Sequence, residues 1–381
     1  MIRSLSRSAG WTYTHIAKPL LFLMPADFVH ESMIKSGSLL QKITLVRRFL
    51  RKTHAYSHPM LETELDNIRY QNPLGLSAGL DKDGKIIPLV QAIGFGFIEC
   101  GSVTYGTYRG NEKPWYTRLP KSKSILVNSG LRSEGATAVI NRVRKYSNET
   151  LKNFPLNISI AKTNSADTCT VEEGVEDYIN SLKAWEKSKL ATLYTINISC
   201  PNTFGGEPFT TVEALEKLLS GIDALKIKKP IFVKMPIDKS WQETKKLLDV
   251  CKRHSVRGIT LGNLYKDRTT IKLQDNFDNN LKGNFSGRPC QEKSDELLSK
   301  MYSLYHDRFI FSGVGGVFSA EDAYRKISLG ATFIEMITGL IFQGPTIPGQ
   351  ITYDLVKLLK KDGYSHYSEA IGVDVKKGKK S

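Results

Sequence analysis

Paired cysteines and long hydrophobic runs are both missing from this 381-residue sequence. Its five cysteines, at positions 100, 169, 200, 251 and 290, are odd in number and form neither CxxC nor Cys/His spacings. This pattern argues against a disulfide framework and against a zinc site, and it predicts a reducing compartment. The longest early apolar run, residues 20–24, is far shorter than the roughly 18 residues that a membrane-spanning helix needs.

Acidic residues are outnumbered by basic ones, 38 against 54, which leaves a formal net charge of +16. Such an excess points to an anionic partner, which is nucleic acid, anionic lipid or a phosphorylated ligand. The sequence contains no nucleic-acid recognition motif and no interleaving of aromatic with basic residues. We therefore expect no nucleic acid as partner, and a basic nucleic-acid-binding module is the alternative outside the enzymes.

Acidic residues are absent from the first 18 positions, which contain Arg3, Arg7 and Lys18. This composition fits either a weak organellar presequence or a frayed basic N-terminus. Helices are predicted at residues 25–35 and 39–52, with a break at Gly37 and Ser38. Residues 1–66 are therefore predicted to form an N-terminal helical hairpin ahead of the main domain.

The second of these predicted helices is amphipathic. Its apolar stripe consists of Leu39, Leu40, Ile43, Val46 and Leu50. Up to residue 60 the chain carries nine basic and two acidic side chains. A basic amphipathic hairpin ahead of a catalytic domain predicts an anchor on an anionic membrane surface. A helix that simply docks on the main domain is the alternative.

From residue 72 onward, short apolar runs alternate with amphipathic stretches. This alternation predicts an α/β fold, the (β/α)8 TIM barrel, over residues 67–365. The predicted strands are residues 74–78, 95–101, 156–161, 193–199, 230–235, 258–262, 309–313 and 332–336. The helical segments between them include residues 171–186, 212–225, 241–254, 294–305 and 320–329. A doubly wound sheet is the alternative, but no GxGxxG follows an early strand. Residues 366–381 are predicted to be a basic, disordered tail.

Polar residues and glycines collect at the predicted carboxyl ends of these strands, where the active site of such a barrel lies. The fourth strand leads into residues 197–203, with the sequence NISCPNT. Its amides can orient a planar polar ligand, and its thiol, Cys200, can act as nucleophile, base or ligand. Lys82 and Lys234 also lie in strand-end motifs.

Small residues follow the last two predicted strands. Gly313, Gly315 and Gly316 follow the seventh, and Thr338 and Gly339 follow the eighth. Backbone N–H groups in these two loops of a barrel commonly bind a phosphate, and small residues leave room for it. The pattern predicts a phosphorylated cofactor, with Lys234 placed to stabilise negative charge on the cofactor ring.

Four motifs together resemble the dihydroorotate dehydrogenase family. They are residues 72–84 (NPLGLSAGLDKDG), residues 197–203, residues 285–289 (FSGRP) and residues 313–317 (GVGGV). The order and spacing match from about residue 20 to residue 350. The first motif and the N-terminal hairpin resemble class 2, the quinone-dependent and membrane-associated branch. Cys200 resembles soluble class 1, because class 2 members usually have Ser as the base.

The resemblance implies FMN on the barrel, the oxidation of dihydroorotate to orotate in pyrimidine synthesis, and a membrane quinone as electron acceptor. The FMN contacts that it implies are Ala78, Gly79, Lys82, Ser102, Ser159, Asn197, Lys234, Gly287, Gly315, Gly316 and Thr338, although Ser159 stands where the family usually has Asn. The implied substrate contacts are Lys82, Asn128, Asn197, Asn202 and Asn263. His30 and Arg118 occupy positions that resemble the polar residues of the quinone tunnel. No metal is implied.

The mechanism implied for this chain uses Cys200 as the base for the C5 proton of the substrate. A free thiol has a pKa near 8.5, far below that of an alcohol, so Cys is the easier base at neutral pH. Residues 201–209 are predicted to act as a lid that excludes water. The loop at residues 128–131 is one residue shorter than in the family, and residues 204–208 lean toward class 1.

Two other enzyme functions remain open on the sequence. One is a soluble class 1-like dihydroorotate dehydrogenase that uses fumarate or NAD. The other is a related FMN barrel that acts on another dihydropyrimidine. The class 2 resemblance predicts a peripheral membrane protein on the cytoplasmic face of a bacterial inner membrane, with the mitochondrial inner membrane as the alternative.

Overall fold

The computed structural model describes residues 2–200, 202–203 and 206–378. Eight parallel strands close into a barrel in the order β6-β7-β8-β1-β2-β3-β4-β5. In chain order they are Leu74–Leu76 (β1), Phe97–Val103 (β2), Leu156–Ile160 (β3), Leu193–Asn197 (β4), Ile231–Met235 (β5), Gly258–Leu261 (β6), Ile310–Val314 (β7) and Phe333–Met336 (β8). Each overlaps a predicted strand, so the (β/α)8 barrel is confirmed.

The barrel strands are buried on both faces, which is why they read as continuous apolar runs. The rings of Tyr70, Phe97 and Phe333 pack edge to face or at a tilt at one end of the barrel interior. Gly75 on β1 lies opposite Phe97, and a Cβ there would come within 2.2 Å of its ring. The glycine therefore makes room for a large aromatic side chain inside the barrel.

Helices surround the barrel and cover the outer faces of its strands. They are Ile87–Ala92, Ala136–Val143, Asn148–Lys152, Val171–Ser188, Val212–Ala224, Trp241–Arg253, Gln291–Tyr305, Ala320–Ser328, Thr338–Gln343 and Ile347–Lys361. Two of them begin with a capping box, formed by Thr170 with Glu173 and by Ser240 with Glu243. The five helical segments predicted from the sequence all agree with these helices to within three residues.

Two small antiparallel sheets were not predicted from the sequence. Thr63–Leu65 pairs with Ile68–Tyr70. A three-stranded sheet joins Tyr116–Leu119, Ser124–Val127 and Asn284–Phe285. The second sheet matters for function because it brings two distant loops together beside the carboxyl ends of the barrel strands.

The N-terminal segment is more ordered than the sequence indicated. Residues 2–23 form the helix Ile2–Thr12, the π-helix Tyr13–Ala17 and the helix Lys18–Leu23. The Tyr13 hydroxyl donates to the Ile341 carbonyl oxygen at 2.7 Å, which ties this segment to the barrel. The prediction of a frayed N-terminus is therefore wrong, because residues 2–18 are helical and Tyr13 holds the segment to the barrel.

The predicted helix break at Gly37 is also wrong. One helix runs through it from Ala26 to Leu40, and the next helix is Thr44–His54. Gly37 is buried, and a Cβ there would lie 2.9 Å from the Leu89 side chain. The glycine thus permits two helices to pack closely instead of ending one of them.

The predicted apolar stripe is divided by this change of boundaries. Leu39, Leu40 and Ile43 are exposed near the turn of the hairpin, whereas Val46 and Leu50 are half-buried. Leu50 packs against the barrel core. In the part of the chain that the structure describes, no helix combines the length and apolarity needed to cross a membrane.

The predicted disordered tail is folded over most of its length. Tyr367–Ala370 is a 3-10 helix and Val373–Gly378 is an α-helix. Tyr367 and Ala370 are fully buried, and the Tyr367 hydroxyl lies 3.3 Å from the Thr332 carbonyl oxygen. Disorder from residue 366 is therefore wrong, because these apolar side chains return to the core. Residues 379–381 lie outside the described residues.

Candidate active site

A cavity of about 410 Å³ opens at the carboxyl ends of the barrel strands and extends beneath the N-terminal helices. Its barrel end is lined by polar side chains and glycines, and its other end by apolar side chains. The predicted residues that line it are Cys200, Ala78, Gly79, Lys82, Ser102, Asn197, Lys234, Gly287, Gly315, Gly316, Thr338, Asn202, Asn263, His30 and Arg118. Residues predicted separately for cofactor, substrate and quinone thus share one continuous space.

A hydrogen-bonded chain fixes Asn197 at the end of β4. Its amide nitrogen donates to the Ser102 hydroxyl at 2.8 Å, and Ser102 lies 2.8 Å from the Ser159 hydroxyl. The Tyr178 hydroxyl donates to the Asn197 carbonyl oxygen at 2.7 Å. Ser159 is completely buried beneath Ser102. The structure therefore places Ser159 where it supports Ser102 and Asn197 from below the cavity surface.

Amide side chains from separate loops meet beside Asn197. Asn263 donates to the Ser199 carbonyl oxygen at 2.6 Å and to its hydroxyl at 2.8 Å. Asn202 donates to the Val127 carbonyl oxygen at 2.9 Å. These contacts hold the amides before any ligand arrives, which is the preorganisation that recognition of a planar polar ring requires.

Asn128 lies in a neighbouring polar cavity that shares Asn202 with the first. The Asn111 amide links the two residues, because it donates to the Asn128 side-chain oxygen at 3.2 Å and to the Asn202 carbonyl oxygen at 3.1 Å. Asn284 donates to the Asn202 side-chain oxygen at 2.7 Å. Asn128 is thus next to the amide cluster but is separated from the first cavity by Asn202.

Lys82 is buried in the loop that follows the carboxyl end of β1. Its ammonium donates to the Ser129 hydroxyl at 2.9 Å. The loop that carries Lys82 is held by the Asp81 carboxylate, which accepts from the backbone N–H groups of Lys85 and Ile86 at 2.7 and 2.8 Å. Burial lowers the pKa of Lys82 to about 8, and Arg132 adds to this effect. Lys82 is therefore mostly a cation at neutral pH, but its pKa lies only slightly above that pH.

The Cys200 thiol is less acidic than the sequence argument assumed. Burial raises its pKa to about 11, although the Asn202 backbone N–H and the Lys82 ammonium act in the opposite direction. The pKa near 8.5 of a free thiol therefore does not apply at this site. Pro201, Phe204 and Gly205 of the predicted lid lie outside the described residues.

The far end of the predicted lid is anchored by an ion-pair cluster. Lys266 pairs with Glu207 and lies 3.1 Å from the Asp238 carboxylate. All three side chains are largely buried. The cluster holds residue 207 against the loops that follow β5 and β6.

Lys234 extends from β5 into the floor of the cavity. Its ammonium lies 3.4 Å from the Ser77 hydroxyl and 3.4 Å from the Glu99 carboxylate. Burial alone would lower the pKa of Lys234, but the Glu99 and Glu335 carboxyl groups outweigh it and the pKa is raised. Lys234 is therefore a permanent cation on the cavity floor.

Glycines and hydroxyls line the cavity near β7 and β8. Gly315 and Gly316 have φ values of 101° and 75°, which side-chain-bearing residues rarely adopt. A Cβ on Gly316 would come within 2.4 Å of the Gln291 Cβ. The Thr338 hydroxyl donates to the Ser286 hydroxyl at 3.0 Å. Bare backbone and small hydroxyls are the groups that bind a phosphate at this position of a barrel.

The apolar end of the cavity contains the two residues predicted for a quinone. Arg118 donates to the Met24 carbonyl oxygen at 2.7 Å, and its guanidinium lies over the Phe22 ring at 4.7 Å. His30 stacks obliquely on Tyr116. Burial, with Lys82 and Arg132 nearby, lowers the pKa of His30 to about 3. His30 is therefore a neutral imidazole at physiological pH.

Sequence reasoning missed several residues of this site. Asn111 lies in a loop and Asn284 in a strand of the small antiparallel sheet, and only the fold brings them to the barrel, so no local pattern reveals them. Ser129 could have been predicted, because it directly follows Asn128, which was itself a predicted site residue. Glu99 and Glu335 are charged residues inside otherwise apolar strands, and that mismatch was a readable signal of a buried polar site.

The fold and the cavity define a (β/α)8-barrel protein whose polar site, at the carboxyl ends of the strands, continues into an apolar channel. The sequence model of the dihydroorotate dehydrogenase family matches residues 60–359. The chain belongs to this family.

Similar proteins carry the name of the same family. A Synechocystis sp. protein named dihydroorotate dehydrogenase (quinone) is 31% identical over 85% of this chain and 86% of its own length. A Nostoc punctiforme protein of the same name is 30% identical over 96% and 99%. The Eimeria tenella DHODH structure in complex with ferulenol superposes with a TM-score of 0.80, at 22% identity over 92% of this chain and 96% of that one. The class 2 resemblance inferred from the motifs is confirmed.

Proposed function

We propose that this protein oxidises dihydroorotate to orotate with bound FMN and passes the electrons to a membrane quinone. The observation that carries this proposal is the single cavity that joins the amide cluster around Cys200 to the apolar end at His30 and Arg118. A substrate and a lipid-like acceptor can reach one cofactor from opposite ends of such a space.

The residues fit FMN. Gly287, Gly315, Gly316 and Thr338 offer bare backbone and a hydroxyl for the phosphate, and Lys234 offers a cation for the ring. All three glycines have positive φ values, so this end of the cavity keeps backbone free of side chains for the phosphate. When bound, FMN supplies the hydride acceptor that no side chain can provide, and it gives the electrons to the second substrate.

The chain's own residues bind and orient the substrate. The amides of Asn197, Asn202 and Asn263 read the edges of the pyrimidine ring, and Lys82 pairs with the carboxylate. Asn128 supports this cluster from the neighbouring cavity, through Asn111 and Asn202. The thiolate form of Cys200 accepts the C5 proton. Asn197 and Asn263 are held by Ser102 and Ser199, so they lose little freedom when the substrate binds.

Stopped-flow anaerobic mixing with dihydroorotate tests the proposal directly. We expect rapid bleaching of the flavin, followed by reoxidation when a soluble quinone is added. Reoxidation by fumarate or NAD in place of quinone would favour the class 1-like alternative. Bleaching by another dihydropyrimidine and not by dihydroorotate would favour the related barrel oxidoreductase. A colourless protein would contradict all three functions.

Peripheral association with an anionic membrane completes the proposal. Among the described residues, the exposed large hydrophobic side chains other than Tyr105 and Leu304 all lie between Trp11 and Phe49. Basic residues of the helix Thr44–His54 border this surface. Apolar side chains flanked by cations are what an interfacial helix presents to anionic lipid. We place the protein on the cytoplasmic face of a bacterial inner membrane, or else on the mitochondrial inner membrane.

We predict that replacing Leu23, Leu45 and Phe49 together by Ser abolishes this association. The three side chains are 84%, 74% and 64% exposed, so the change removes apolar contact with lipid at little cost to folding. Cosedimentation with vesicles that contain anionic lipid should fall by at least tenfold, because each lost large side chain contributes roughly 1.5–3 kcal/mol when fully buried. Flavin reduction by dihydroorotate should remain unchanged.

Leu304→Ser is the matched control, because Leu304 is 57% exposed on a barrel helix. It should sediment with vesicles like the parent. Equal binding of the triple variant and the control would show that the N-terminal surface does not contact the membrane. Added salt should weaken binding of the parent through its basic residues.

A further inference from the structure

Three ionisable side chains meet inside the barrel, beneath the cavity floor. Glu99 comes from β2, Lys234 from β5 and Glu335 from β8. Their exposed fractions are 2%, 4% and 3%. Burying two carboxylates with one ammonium would leave an unpaired charge, which is far too costly in a protein interior. The cluster must therefore hold an extra proton.

The hydrogen bonds around the two carboxyl groups indicate that the proton lies between them. The Ser312 hydroxyl donates to Glu335 Oε1 at 2.7 Å, and the Ala78 backbone N–H donates to Glu99 Oε2 at 3.3 Å. Among the described residues, no hydrogen bond of ordinary geometry reaches Glu99 Oε1 or Glu335 Oε2, although the Thr195 side chain lies close enough to lower the pKa of Glu99. The two carboxyl groups nevertheless hydrogen-bond each other. One proton between them satisfies both.

The electrostatics assign the proton to Glu335. Burial, and then repulsion by Glu99, raises the pKa of Glu335 well above its usual range. Burial also opposes charge on Glu99, but the Lys234 ammonium and several hydrogen bonds outweigh it and lower its pKa. The geometry agrees, because among the described residues the Lys234 ammonium forms an ion pair with Glu99 and with no other carboxylate. This leaves Glu335 as the carboxyl group that carries the proton.

We propose that Glu335 is a positioning residue whose carboxylic acid proton draws charge on Glu99 away from Lys234, so that the ammonium acts on the flavin ring. The Lys234 ammonium is 3.4 Å from Glu99, a loose contact for an ion pair, and both Lys234 and Glu335 line the cavity. Without a donor at position 335, Glu99 would pair more tightly with Lys234. This inference rests on the proposed binding of FMN.

The test compares Glu335→Gln with Glu335→Met, which have similar length and shape. The measurement is the midpoint potential of bound flavin near neutral pH. Gln is neutral and donates a hydrogen bond, so the equilibrium constant for flavin reduction should stay within about threefold of the parent. Met donates none, so that constant should fall by at least tenfold, which is about 30 mV for a two-electron couple.

Three results would overturn the inference. A rise of tenfold or more in Glu335→Gln would mean that Glu335 is ionised in the parent. A Met variant that matches the parent would mean that the donor has no effect. Loss of FMN from Glu335→Gln would mean that a neutral donor is insufficient.

Infrared spectroscopy separates this inference from the proposed function, because it needs no flavin. The difference spectrum of flavin-free parent minus Glu335→Gln should contain the carbonyl stretch of a protonated carboxylic acid. A carboxylate band in its place, in a parent that binds flavin, contradicts the inference alone. A parent that shows the acid band but binds no FMN contradicts the proposed function and the role of Glu335 toward flavin with it.

Discussion

Cys200→Ala should slow flavin reduction by dihydroorotate by about 10²-fold or more, the usual effect of removing a general base. FMN and orotate should still bind, because the groups assigned to them, such as Lys234 and Asn197, do not depend on the thiol. The measurement is the single-turnover rate of flavin reduction at saturating dihydroorotate. A rate within about threefold of the parent across the pH range would show that the proton goes elsewhere.

The pH dependence gives this prediction a second test. Burial raises the pKa of Cys200 to about 11. Below that pH, the thiolate fraction therefore rises about tenfold for each unit by which the pH increases. The saturating rate of the parent should therefore rise steadily from about pH 6 to pH 10 without a plateau. A plateau near pH 8.5 would mean that the thiol behaves as a free one.

Substrate affinity should change in the opposite direction. Burial lowers the pKa of Lys82 to about 8, so its charge is lost above that pH and its attraction for a carboxylate is lost with it. The dissociation constant of dihydroorotate should therefore increase above about pH 8.

Cys200→Ser is the matched control for the rate prediction, since a hydroxyl keeps the geometry but ionises less readily. It should keep part of the rate, shifted to higher pH.

The barrel was predictable because its information is local. Each strand is a short apolar run, and residues at the carboxyl ends of parallel strands must converge, so Lys82, Cys200 and Lys234 could be grouped from the order of the strands alone. The helix signals were equally local, as in the capping box at Thr170 and Glu173. These features require only neighbours in sequence.

The missed features depend on contacts between distant residues. Phe285 pairs with Leu126 in the small sheet, and that pairing brings Asn284 to Asn202. Gly37 is a packing contact with Leu89, which no local propensity distinguishes from a helix stop. The Cys200 pKa likewise depends on burial, so a model-peptide value could not predict it.

The buried ion pair at the cavity floor predicts the second large effect. Lys234→Ala should lose FMN or fail to reduce it, because the cation assigned to the ring disappears. It should also destabilise the flavin-free protein by about 3–5 kcal/mol, the usual cost of leaving one partner of a buried ion pair alone. Glu99 is the partner that this substitution leaves without its counterion, and it is only 2% exposed.

The pH dependence of this destabilisation identifies its cause. In the parent, Lys234 outweighs burial and lowers the pKa of Glu99, so Glu99 stabilises the fold above its unfolded pKa and loses that contribution as pH falls. Without Lys234, burial instead raises the pKa of Glu99, and ionising it opposes folding. The deficit in unfolding free energy should therefore grow between about pH 5 and about pH 8. Denaturant unfolding of flavin-free protein measures it, with the exposed Lys252→Ala as control. A deficit that is equal at both pH values would show that lost packing, and not the charge of Glu99, destabilises the variant.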